Sequence, residues 1–83
     1  MNQNIKNFID IKKIANTKIR GKKAITFPLK ITSGWVSDQE GHHILDIRGW
    51  GFIQYLGEGS EKLQDDIGQW VVDTLNKEYD SAN

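Results

Sequence analysis

Three clusters of chemistry-bearing residues stand out. His42 and His43 sit beside Asp38, Glu40 and Asp46, a set that could ligate a metal. Adjacent strand residues point to opposite faces, so two neighbouring imidazoles rarely share one ion. Asp38-x-Glu40-Gly41 is a fragment of a calcium loop, but the twelve-residue ligand pattern is missing. Gly57-Glu58-Gly59-Ser60-Glu61-Lys62 falls where a strand enters a helix, the usual seat of a phosphate. Its spacing matches neither the Walker loop nor the dinucleotide fingerprint, and Glu58 and Glu61 would repel an anion.

Catalysis has little to draw on. There is no cysteine, so thiol chemistry and disulfides are excluded. Asp65 and Asp66 are adjacent, and nothing near them would raise a carboxyl pKa for acid–base work. No nucleophile-elbow spacing occurs. We expect no enzyme activity, no catalytic residue, no cofactor and no metal.

Binding chemistry is better represented. Residues 1–30 carry eight basic side chains and one acid (8 − 1 = +7), while residues 31–83 carry three and ten (3 − 10 = −7). The net charge of zero therefore hides a dipolar molecule, and such surfaces steer charged partners. Lys12, Lys13, Lys18, Arg20, Lys22 and Lys23 are dense enough to meet phosphate backbone, the basis of a nucleic-acid-binding alternative. Lysines also guard strand edges against aggregation. Three tryptophans are more than a small core hides easily. Trp35, Arg48, Trp50 and Phe52 offer hot-spot chemistry for a protein partner, and Trp50 could equally fill a second small cluster or a dimer seam. Glu58, Asp65, Asp66 and Asp73 could imitate a run of phosphates toward a nucleic-acid enzyme.

The elements that must position these residues follow from periodicity. Eighty-three residues make a single domain. A chain this short buries only about 60–65% of its unfolded surface, so self-association, for example as a homodimer, is one route to added stability. Residues 4–20 fit neither period well, and β-branched side chains favour a strand near residues 8–14. The basic segment 1–20 is a candidate for partial order only. Arg20-Gly21-Lys22-Lys23 reads as a polar turn.

Ile25, Phe27, Leu29 and Ile31 alternate with Thr26, Pro28, Lys30 and Thr32, the pattern of a half-buried strand. Pro28 places it at an edge or a bulge, and Trp35 and Val36 extend it past Gly34. Residues 37–41 form a hairpin loop with Gly41 in the left-handed position. The return strand bends at Gly49-Trp50-Gly51 and continues through residues 52–56.

Ser60 is the expected N-cap of a helix over residues 61–78, with a fraying tail from Asp80. Leu63, Ile67, Trp70, Val71 and Leu75 give it one apolar stripe, while Asp65, Asp66, Gln69, Asp73, Asn76 and Lys77 cover the other side. Gly68 within it points to close packing on the sheet.

The expected fold is α+β: three to five antiparallel strands with one C-terminal amphipathic helix on one face. The expected core is Ile25, Phe27, Leu29, Ile31, Leu45, Ile47, Ile53, Leu63, Ile67, Trp70, Val71 and Leu75.

Asp38-Gln39-Glu40-Gly41, Ile44-Leu45-Asp46-Ile47, the run Ile67-Gly68-Gln69-Trp70-Val71-Val72, and Leu75-Asn76 together resemble small phage-encoded hairpin-plus-helix proteins of unknown function. The resemblance covers about residues 36–77. It implies a phage or mobile-element origin, the host-cell cytoplasm, and an accessory role against host machinery such as a defence or nucleic-acid enzyme. It transfers no catalytic residue. No run is apolar enough to cross a bilayer, and no signal core opens the chain, so no membrane partner is expected.

Overall fold

A computed structural model describes residues 10–49 and 51–82. Its elements are α1 (Ile11–Ala15), β1 (Lys18–Ile19), β2 (Lys22–Lys23), β3 (Lys30–Thr32), β4 (Trp35–Ser37), β5 (His43–Asp46), a 3-10 helix (Phe52–Leu56) and α2 (Ser60–Ser81). The fold is α+β. Two antiparallel sheets, β1-β2 and β3-β4-β5, accompany a C-terminal helix that packs on the larger sheet.

The N-terminal part corrects the strand expected over residues 8–14. Residues 8 and 9 lie outside the described residues; from Ile11 the chain is helical. The reason is local. The Asp10 carboxylate accepts from the Lys12 N–H at 2.9 Å and caps a turn. That turn places Ile11, Ile14 and Ala15 on one face against the core.

Two hairpins follow from paired positive φ values, the geometry of tight primed turns. Arg20 and Gly21 (φ 55° and 78°) join β1 to β2, as the polar turn expected there implies. Ser33 and Gly34 (47° and 86°) join β3 to β4. Trp35 and Val36 therefore do not prolong the preceding strand but return alongside it, in register Ile31↔Val36 and Thr32↔Trp35. The period-two segment keeps its phase, with Ile25, Phe27 and Leu29 buried and Ile31 half-buried. Only residues 30–32 join a ladder.

Residues 24–29 are held by two isolated backbone bonds, from the Ala24 N–H to the Thr17 carbonyl and from the Gln39 N–H to the Thr26 carbonyl, and by side chains. Asp38, fully buried, accepts from the N–H groups of Thr26, Glu40 and His42 at 2.9, 3.0 and 2.9 Å. The Gln39 amide donates to the Pro28 carbonyl at 2.8 Å. Asn76 of α2 takes both backbone groups of Leu29: its Oδ1 accepts from the N–H at 2.7 Å, and its Nδ2 donates to the carbonyl at 2.9 Å. Asn76 is thus a clamp and not a solvent-facing residue. At the far end of α2, Tyr79 stacks on Phe27 with centroids 4.6 Å apart.

Residues 52–56 are a 3-10 helix and not a continued strand. α2 begins one residue early, with Gly59 at the N-cap in place of Ser60, and stays helical through Ser81 where fraying was expected.

The largest correction concerns the rotation of α2. Its buried residues are Gln64, Gly68 and Val72, with Leu75 and Tyr79 half-buried against the core. Leu63, Ile67 and Trp70, assigned to the core by their spacing, are exposed, and so is Leu45. The helix sits about one residue, or 100°, from the orientation its bulky stripe would select. Gly68 explains this. Any Cβ there would collide with Ile47 Cδ1 and lie 3.3 Å from Ile31 Cδ1, so the backbone of α2 rests directly on the sheet. Close backbone approach and the Asn76 clamp fix the rotation, and the bulky stripe turns outward. The observed core is Ala15, Ile25, Phe27, Leu29, Val36 and Val72.

Candidate functional site

α2 forms one wall of a groove, to which the outward stripe contributes Ile67. Ile67 and Val71 face Leu45 and Ile47 of the β5 segment, and Phe52 and Ile53 of the 3-10 helix close the end. Gln64 and Gly68 also line it, with Gly49, Gly51 and Asp46 at its edge. Its volume is about 510 Å³, and it opens to solvent. Ile53, expected in the core, is half-buried here. Eight large apolar side chains are exposed among the described residues, and seven of them fall between residues 45 and 70. Phe52 is 76% exposed and Trp70 is 68% exposed. This concentration on a small domain makes the face the candidate site.

The residues singled out from the sequence do not gather at one place. Arg48 is not a free hot-spot cation. Its Nε and Nη2 donate to the two Asp65 carboxylate oxygens at 3.1 and 2.7 Å, and Glu61 lies 3.9 Å away. These hydrogen bonds hold the Asp65 carboxyl below its ordinary range against a smaller opposing effect of burial, and they raise Arg48 further. The pair ties the turn after β5 to α2, so Arg48 and Asp65 are fasteners. Asp66 is paired with Lys62 at 2.9 Å, and Asp73 accepts from the Gln69 amide at 2.8 Å. Glu58 is exposed just before α2.

Trp35 stacks on His43, with ring centroids 4.6 Å apart and planes 13° apart. Strand alternation turns Trp35 away from the face where its neighbour Val36 meets α2. Of the three hot-spot residues that are described, Phe52 lies in the groove; Trp50 is outside the described residues.

The histidines diverge. The His42 ring approaches Asp38 at 3.2 Å, while His43 is occupied by Trp35. Burial pushes the Asp38 carboxyl up, but N–H groups of His42, Thr26 and Glu40 and the His42 ring outweigh it and lower its pKa. That carboxylate is filled with backbone donors. Among the described residues no group of three or more His, Cys, Asp or Glu could hold a metal ion.

The basic residues split between two elements. Lys12 and Lys13 lie on α1, and the Lys12 ammonium sits 5.2 Å from the Tyr79 ring centroid. Lys18, Arg20, Lys22 and Lys23 crowd the β1–β2 hairpin, where all four strand residues are exposed. Lys18 stands directly opposite Lys23.

Sequence reasoning missed Leu45, Ile67 and Val71 as site residues because their apolar character assigned them to the core. The signal that could have found them is the glycine one residue past Ile67. A glycine on a helix face marks the side that touches. No known protein family, curated protein or solved structure matches this chain.

Proposed function

We propose that this chain is a non-enzymatic interaction module whose binding site is the groove between α2, the β5 segment and the 3-10 helix. One observation carries the reading: Ile67 and Val71 of α2 line an open apolar cleft with Leu45, Ile47, Phe52 and Ile53, and Ile67, Leu45 and Phe52 stand exposed in it. Covering a Leu- or Phe-sized side chain returns about 1.5–3 kcal/mol, so several such groups left in water favour a partner. The partner is another polypeptide, because the cleft is lined by aliphatic and aromatic side chains and Asp46 is the one charged lining residue among the described residues. The resemblance to phage hairpin-plus-helix proteins would make that partner a host protein in the cytoplasm.

The test compares the wild type and Ile67→Glu as affinity baits, after circular dichroism has shown both folded. Ile67 is exposed, so the substitution spares the core. Proteins kept by the wild type are expected to be lost from Ile67→Glu. The same set retained equally by both baits would refute the groove as the site.

A further inference from the structure

The β1–β2 hairpin is the complement of the groove. It carries four cations and no acid in residues 18–23, and among the described residues none of the four is ion-paired. Like charges directly opposite across a ladder, as at Lys18 and Lys23, are destabilising unless an anion answers them. Between them projects Ile19, 63% exposed and the one exposed large apolar side chain described outside residues 45–70. The primed turn at Arg20-Gly21 sets the arm's shape before binding.

The groove presents the opposite chemistry. Asp46 lines its edge. Asp66 and Asp73 lie on the solvent face of α2, beyond Trp70 and away from the groove's lining. Asp73 is hydrogen-bonded by a neutral amide, which leaves its charge unanswered.

We propose that the occupant of the groove is a second copy of this chain, which inserts its hairpin so that Ile19 enters the apolar cleft and the hairpin cations meet Asp46 at its edge. This rests on the groove being a binding site. The charge layout supports self-recognition: opposite excesses of seven on the two parts of one chain cancel in total, so copies do not repel at long range but orient head to tail. Arm and groove are different patches, so the contact is heterologous and builds rings or open chains rather than a closed two-fold pair. A six-residue arm covers an area at the low end of specific interfaces, below about 1,200 Å² in total, so the association is weak and readily reversed.

Sedimentation velocity tests this from about 10 to about 500 µM, where weak association becomes visible, at about 50 and about 500 mM salt, which brackets strong and weak screening. The wild-type mass is expected to rise with concentration at low salt and to fall at high salt. The arm variant Ile19→Asp/Lys22→Glu and the groove variant Ile67→Glu are each expected to be monomeric. Their equimolar mixture is expected to form a dimer and nothing larger, since each supplies the half that the other lacks. All three positions are exposed, and Lys22→Glu/Lys23→Glu is a second arm variant if the first loses its fold.

A wild type that stays monomeric overturns the proposal; partners lost from the Ile67→Glu bait would then leave the groove reading standing with a different protein in it. Association that persists in both variants, a mixture that stays monomeric, or assembly that strengthens with salt also overturns it. So does a monomer whose hairpin shifts DNA or RNA at low salt and loses that shift on charge reversal, because the cations would then serve phosphate.

Discussion

Asp38→Asn changes one atom type at a fully buried carboxylate and should be among the most damaging conservative substitutions in the chain. Asp38 Oδ1 receives the Glu40 and His42 N–H groups, and Oδ2 receives the Thr26 N–H and the His42 ring. Asparagine can keep the Oδ1 pair, without the charge that strengthens it. Its amide nitrogen then faces the Thr26 N–H, donor against donor. An unsatisfied N–H costs about 1–3 kcal/mol, and losing charge assistance on two bonds adds roughly 1 more, for a total of about 2–4 kcal/mol. A domain of 83 residues has about 4–12 kcal/mol of stability in all, so this is a large share. At about 4–8 °C per kcal/mol, Tm should drop by about 8–32 °C.

The pH dependence identifies the cause. The folded-state pKa of Asp38 is depressed from an ordinary value of 3.8, so its contribution is complete above that value and fades as pH falls through the folded pKa. The gap in stability between wild type and Asp38→Asn should be constant from pH 7 to about 5 and should narrow below pH 4. Urea melts at a series of pH values measure it. Equal midpoints at pH 7, or a gap that ignores acid, would refute the assignment of these hydrogen bonds.

Asn76→Ala strips the clamp on Leu29 and leaves an N–H and a carbonyl without partners, so unfolding in urea should show a loss of about 2–4 kcal/mol. Gly68→Ala gains about 1 kcal/mol of helix propensity but strikes the end of Ile47. The net change in wild type should be small, whereas in an Ile47→Val background, which lacks the struck atom, the same alanine should stabilise by about 1 kcal/mol, a non-additivity that a double-mutant cycle reads directly. Arg48→Ala and Asp65→Ala should each destabilise, the double variant should be little worse than either, and all three differences should shrink in high salt, as chemical melts at two ionic strengths would show.

The sequence by itself determined the class of fold, the turns at Gly21 and Gly41 and the charge layout, because these rest on local chemistry, while the Ser33-Gly34 turn read as continued strand. Gly21 and Gly41 take positive φ as their residue type predicts, and the alternation of Ile25, Phe27 and Leu29 sets which side chains are buried. Segregated charge is legible before any folding. Periodicity also found that α2 exists and has an apolar stripe. It could not say which face of α2 touches the sheet, since that depends on contacts between residues far apart in the chain. Ile47 and Ile31 against Gly68, and Asn76 on Leu29, decided the rotation. They won because a bare helix backbone packs closer than a bulky stripe allows, and because the Leu29 N–H and carbonyl need partners once buried. The same tertiary choice turned Arg48 and Asp65 into a fastener and left Leu63, Ile67 and Trp70 in water.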